Sequence, residues 1–137
     1  YDADSSASAV IHTHSHHLVL LTLLGVWRAH EIMPFITPYQ VMKVGRVPLI
    51  DYALPGDPRV AVDVAAAITQ AAEQGEHLRA VMCERLGPQV WHADLQKAVA
   101  VLEELEQTAR LWLAGQRQIE PLLPAQIEAL QQRFPSN

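Results

Sequence analysis

The feature that most constrains the fold is a strand–turn–strand–helix pattern in the second half of the chain. LRAVMCE (residues 78–84) is short and apolar, as a strand buried on both faces must be. PQVWH (88–92) follows across Leu86, Gly87 and Pro88, which suits a hairpin turn. Asp94 then stands where a helix N-cap belongs. Behind it Leu95, Ala98, Val99, Leu102, Leu105, Ala109, Trp112 and Leu113 recur at helical spacing. A hairpin feeding a long amphipathic helix has to bury that helix against its own sheet.

The other elements fit around this unit. LPGDPRVAVDVAAAITQAAEQGEH carries the cleanest helix signal. Asp57 is the N-cap and Pro58 takes the first helical position, where its missing N–H has no partner to lose. Val60, Ala61, Val64, Ala65, Ile68, Ala71 and Ala72 form one apolar stripe, and Gly75 stops it. SASAVIH (6–12) reads as a buried strand, and Ser15 as the cap of a short helix over HHLVLLTLL that ends before Gly25. EIMPFITPYQVMKVG gives a short strand into Pro34 and a helical turn from Tyr39 to Val44, stopped by Gly45. VPLIDY is a further short strand. A final helix begins near Pro124 and runs to about Arg133, with Ile127, Leu130 and Phe134 facing inward. Intermixed strands and helices give an α/β or α+β layered domain, and the hairpin argues against an all-parallel sheet.

With 137 residues, half of them hydrophobic, the chain is sized for one domain with a real core. Its net charge of -5 and lack of a basic tract argue against nucleic acid and anionic membranes as partners. A small anionic substrate stays open, because a local cluster can oppose the net charge. Cys83 is the lone cysteine, so no internal disulfide forms, which fits a reducing compartment. The apolar run from Leu18 to Trp27 is broken by Thr22 and Gly25 and falls short of a membrane span. A soluble cytoplasmic protein is the expectation. The chain opens on YDADSSASAV without an initiator methionine, and Asp2 and Asp4 read as a solvated end.

The histidines His12, His14, His16 and His17 are crowded into IHTHSHH. If the strand runs on through His14, side chains alternate and His12 and His14 share a face. Two imidazoles there can converge on a divalent metal. A catalytic zinc usually takes three protein ligands and an open position, so a third must come from elsewhere. The competing reading is a pair of strand-end histidines held by backbone hydrogen bonds. His16 and His17 fall on the following helix, where their directions diverge. His30, His77 and His92 stand alone in the sequence and read as surface histidines.

Several segments, taken in order, resemble the class II aldolase/adducin family. YDADSSASAVIHTHS is similar to the stretch that ends in the family's His-x-His-Ser zinc motif. AVMCERLGPQVWHADLQKAVAVLEELEQTARLWL resembles its strand, Asn-His-Gly turn, strand and long helix. Between them, TPYQVMKVGRVPLIDYALPGDP is especially similar to the 3-oxo-tetronate 4-phosphate decarboxylase branch. The resemblance implies a three-layer αβα sandwich around a largely antiparallel sheet, of which residues 1–137 form the C-terminal portion of a single domain. His12 and His14 match the first two histidine ligands of the zinc ion. Tyr52 matches a tyrosine that acts in related aldolases as a proton donor from a neighbouring subunit; a sheet-edge aromatic is the plain alternative. Tyr39 and Lys43 match positions that recur in the decarboxylase branch, where Lys43 could oppose a phosphate or carboxylate. A homotetramer with sites between subunits is implied.

The sequence departs from the family pattern in two places. Arg85, Leu86 and Gly87 stand where Asn-His-Gly is expected, and leucine has no lone pair to offer a metal. The family's glycine-rich and serine-rich phosphate loops and its acidic residue have no counterpart in this sequence. His16, His17 and His92 are the imidazoles left to take the third place, with a carboxylate from a partner chain. Three functions then compete. The first is a metal-dependent carbon–carbon lyase, decarboxylase or aldolase, acting on a phosphorylated sugar acid or sugar phosphate in carbohydrate catabolism. The second is a non-catalytic fragment or degenerate paralogue serving as an oligomerising scaffold. The third, a free-standing metal-binding module, rests on the histidines alone. A sheet lacking the family's first part should expose an edge and an apolar face, and the chain is expected to associate through them.

Overall fold

The computed structural model describes residues 3–135. The strands are β1 (Ala9–His12), β2 (Leu49–Ile50), β3 (Ala80–Cys83) and β4 (Gly87–His92). They form one mixed sheet in the order β1-β4-β3-β2. β4 runs antiparallel to both β1 and β3, and β2 pairs parallel to β3. The helices are α1 (His16–Leu24), α2 (Pro58–Glu73), α3 (Leu95–Ala114) and α4 (Pro124–Arg133), and a π-helical turn covers Gln40–Val44.

The three expected layers are present. Every residue of β3 is buried, because helices cover both faces of the sheet. Ala80 and Met82 point to one face, where Leu18 and Leu21 of α1 meet Val101, Leu105, Ala109 and Trp112 of α3. Val81 and Cys83 point to the other, against Ile50, Leu78, Trp91 and Ala71 of α2. The α2 layer is the thinner one: Ala71 is its single fully buried residue, and Val60, Val64 and Ile68 are half-buried. Among the described residues, no helix is long and apolar enough to cross a membrane.

Both aspartate caps hold. Asp57 accepts from the Arg59 amide at 2.9 Å, and Asp94 accepts from the Lys97 amide at 2.7 Å. Other expectations need correction. No strand leads into Pro34; Arg28 and Glu31 close a tight turn by a single bridge, and the Ile32 amide donates to the Val47 carbonyl. VPLIDY shrinks to Leu49–Ile50, the two residues in ladder register with β3, although the Pro48 carbonyl also accepts from the Met82 amide. On α3 the buried stripe is Ala98, Val101, Leu105, Thr108, Ala109 and Trp112, while Leu95 in the first turn is 63% exposed. On α4, Ile127 and Leu130 are half-buried but Phe134 faces outward beneath the Arg133 guanidinium.

Ser15 does not cap α1 through its side chain. Its hydroxyl pairs with that of Thr13 instead. The first-turn amides of α1 are held by Glu106, reaching across from α3. Its carboxylate accepts from the amides of His17 at 2.9 Å and Leu18 at 3.2 Å, and it contacts His17 Nδ1 at 2.9 Å. One residue thus supplies the cap and a negative charge at the positive end of the helix.

Asp4 is not a solvated end either, while Asp2 lies outside the described residues. The Asp4 carboxylate accepts from the Ser6 amide at 2.9 Å and the Ser6 hydroxyl at 2.6 Å. It also accepts from His77 Nε2 at 2.7 Å and Trp91 Nε1 at 3.2 Å. This knot starts the chain at the sheet, so β1 begins at Ala9 rather than Ser6. Burial raises the Asp4 pKa, but the donors from Ser6 and His77 outweigh it and bring it from 3.8 to about 2.

Two outcomes are expected. Glu106→Ala should lower stability by about 1–2 kcal/mol in urea unfolding, with faster amide exchange in α1, and Glu106→Gln should lose less. Because the Asp4 pKa is depressed on folding, its contribution is present at neutral pH and is lost as pH falls from 3.8 towards about 2. Asp4→Asn should therefore cost roughly 2 kcal/mol at pH 7 and flatten that acid limb, as unfolding midpoints measured across the range would register.

Candidate active site

The site is organised by the turn between β3 and β4. Gly87 sits at φ +141, and a Cβ there would lie 1.8 Å from the Thr13 carbonyl oxygen. No side chain fits, so the two backbones touch, and residue 86 is brought beside the histidine pair. From Ile11 to His17 half-buried and exposed residues alternate, so His12 and His14 do share a face as strand periodicity predicts. Their ring centroids are 5.5 Å apart. His12 Nδ1 lies 2.9 Å from the Pro88 carbonyl oxygen. A carbonyl can only accept, so Nδ1 donates to it, and the neutral ring in this tautomer has its lone pair on Nε2.

These residues line a cavity of about 980 Å³ between the sheet, α1 and the loop that leads into α2. His16 also lines it. The sequence did not single out two further lining residues, Cys83 and Arg85. Burial pushes the Cys83 thiol up to about 11, so it offers no thiolate at neutral pH. Arg85 takes a left-handed backbone conformation at φ 64, with its amide donating to Thr22 Oγ1 at 3.1 Å. It is the one permanent cation among the lining residues. Its signal in the sequence was a basic residue in the turn between two buried strands.

The other candidates separate. Leu86 lines the cavity and packs on the α2 side with Cys83, so the third-ligand position is apolar. His17 is engaged by Glu106. His92 lies at the far end of β4, beyond reach of the pair, because a strand carries each successive residue away from its turn. His16 remains nearby, yet among the described residues no group of three His, Cys, Asp or Glu could hold a metal. Tyr52 follows β2 at the same end of the sheet, with its amide donating to Glu84 at 3.1 Å. Its ring is about half exposed and does not line the cavity within one chain. Lys43 stands over the Tyr39 ring at 5.7 Å and lines a different cavity, together with His77 and His92. His77 is exposed, as its sequence suggested, but bound to Asp4; His92 is half-buried.

Residues 1–113 match the family described as the Class II Aldolase and Adducin N-terminal domain. The chain belongs to this family. The 3-oxo-tetronate 4-phosphate decarboxylase of Cupriavidus necator is 54% identical over 113 residues, which cover 82% of this chain and 49% of that protein. The protein of the same name from Escherichia coli is 40% identical over 134 residues, covering 95% of this chain and 58% of that one. The chain thus spans about half the length of the curated relatives it matches. Among solved structures, YgbL from Escherichia coli superposes with a TM-score of 0.78 at 34% identity, over 96% of this chain and 60% of that one. An L-fuculose 1-phosphate aldolase, 18% identical, superposes with a TM-score of 0.69 over 99% of this chain and 59% of the other, which speaks for the shared fold. The class II aldolase-like αβα architecture expected from the sequence is therefore the one observed.

Gly87→Ala tests the contact that builds the site. Its Cβ would meet backbone rather than a flexible side chain, so the turn must move. A loss of about 2–4 kcal/mol is expected in chemical unfolding, together with shifted His12 and His14 imidazole resonances.

Proposed function

We propose that the chain provides part of a carbon–carbon lyase site for a phosphorylated sugar acid, the substrate class named by its relatives. The observation that supports this most is the hydrogen bond from His12 to Pro88, which fixes one imidazole with its lone-pair nitrogen available beside His14. The name of the relatives describes a 3-oxo acid, with a carboxylate two carbons from a ketone. Decarboxylation breaks the bond between the carboxylate carbon and its neighbour. The electron pair moves onto the ketone oxygen, carbon dioxide leaves, and the resulting enolate takes a proton on carbon.

The donor set present fits a divalent ion in part. His12 and His14 would hold zinc or a similar ion, whose bound form stabilises the oxygen that gathers negative charge. Two imidazoles plus one carboxylate is an established catalytic set, so the remaining ligand would be a carboxylate from outside the described residues. Leu86 cannot serve. Arg85 is placed to oppose the substrate's phosphate or carboxylate. Tyr52, exposed at the same end of the sheet, is assigned the proton delivery, across a subunit boundary of a homotetramer.

Leu86 favours a second reading, in which the chain keeps the fold as an oligomerising module and has lost the chemistry. Metal content of the purified protein, read by mass spectrometry beside a decarboxylation assay on 3-oxo-tetronate 4-phosphate, separates the two. Under the first reading zinc is retained, His14→Ala loses it, and Leu86→His tightens it by at least about tenfold through a new ligand. A folded protein that holds no zinc, and gains none with Leu86→His, would sink the lyase reading. Retained zinc with no release of carbon dioxide supports the second.

A further inference from the structure

The histidine cavity occupies one end of the β3–β4 hairpin. A second, smaller cavity of about 320 Å³ occupies the other. β4 runs between them, so Leu86 and His92 are separated by roughly 20 Å of strand. Residues scattered along the sequence converge here. Lys43 comes from the π-helical turn, His77 and Arg79 from the approach to β3, His92 from the end of β4, and Lys97 from the start of α3. Among the described residues, no acidic side chain lines this cavity. That is unusual on a chain whose net charge is -5.

The concentration of charge is balanced only in part, by Asp4 on His77 and by Asp94 near His92. Arg79 is only 5% exposed, and its Nη1 has no hydrogen-bond partner among the described residues. A buried guanidinium without a partner is costly, so a fold that keeps one has usually matched it to something. Asp4 is close enough to favour the charged guanidinium, but its oxygens are occupied by Ser6, His77 and Trp91, and it makes no ion pair with Arg79. Burial and then the positive charges of Arg79 and Lys97 push the His92 pKa down, against the opposing pull of Asp94.

We propose that this cavity binds a small phosphate-bearing molecule, either inorganic phosphate or a phosphorylated sugar acid, at a site separate from the histidine pair. Arg79 lines the cavity, and a guanidinium carries N–H donors and a fixed charge that suit phosphate oxygens. Lys43 and Lys97 are exposed at the mouth and supply mobile charges that close over the remaining oxygens. The volume lies at the low end of ligand cavities, which fits a single small anion rather than a nucleotide.

The test is thermal unfolding and titration calorimetry with inorganic phosphate, and separately with a phosphorylated four-carbon sugar acid, both against chloride at equal ionic strength. Saturable stabilisation is expected with phosphate and not with chloride. The double variant Lys43→Gln, Lys97→Gln changes only exposed side chains, and should weaken binding at least about tenfold. His14 and Arg85 line the histidine cavity, so His14→Ala and Arg85→Ala should leave unchanged the inorganic-phosphate binding that the double variant weakens. Tighter binding of the sugar acid, lost in the same double variant, identifies a phosphorylated metabolite as the ligand; equal binding identifies free phosphate. Absence of saturation with phosphate, indifference to the double variant, or loss of inorganic-phosphate binding through Arg85→Ala each overturns the proposal.

Discussion

The structure depends on one close approach. Gly87 lies against the backbone of Thr13 with no room for a side chain, and this contact locks the hairpin turn onto the end of β1. The β1–β4 register follows from it, with His12 opposite Gln89 and Ala9 opposite His92. So does the hydrogen bond from His12 to Pro88, since Pro88 is the next residue of the same turn. The histidine pair, the apolar Leu86 and the strained Arg85 are therefore one assembly, built on a backbone contact and tied by the His12–Pro88 and Arg85–Thr22 hydrogen bonds. Steric exclusion at one glycine does here what a network of polar contacts does in other sites.

The sequence made the helices legible where their signals were local. Asp57 with Pro58, and Asp94, announce α2 and α3, and both carboxylates cap as expected. The buried hairpin was equally plain, because a strand covered on both faces must be apolar throughout. The shared face of the His-x-His pair was readable from strand periodicity. Local signals failed where the partner is distant. Ser15 looked like the cap of α1, yet Glu106 performs that task from α3. Asp4 looked solvated, and nothing near it in sequence reveals that His77 and Trp91 converge on it. The basic cavity was invisible for the same reason, since its cations lie far apart in the chain.

Two chemically different ends thus share one hairpin. The end at the turn is wide, largely apolar and lined by imidazoles. The end at His92 is small and cationic. β3 and β4 are buried along most of their length, so the two ends are joined by the stiffest part of the molecule. His92 shows how direction along a strand decides function. Its spacing from Leu86 in sequence is short, but extended backbone places it at the wrong end to complete a metal site.

The cap on α1 ties the entrance of the histidine pocket to a distant part of the chain. α1 has nine residues, below the length at which a helix holds in water by itself. Its first-turn amides are satisfied by a side chain 89 positions further along the chain. The helix that follows His14 is therefore only as firm as its packing on α3, and a change on α3 that moves Glu106 would be felt at the imidazoles.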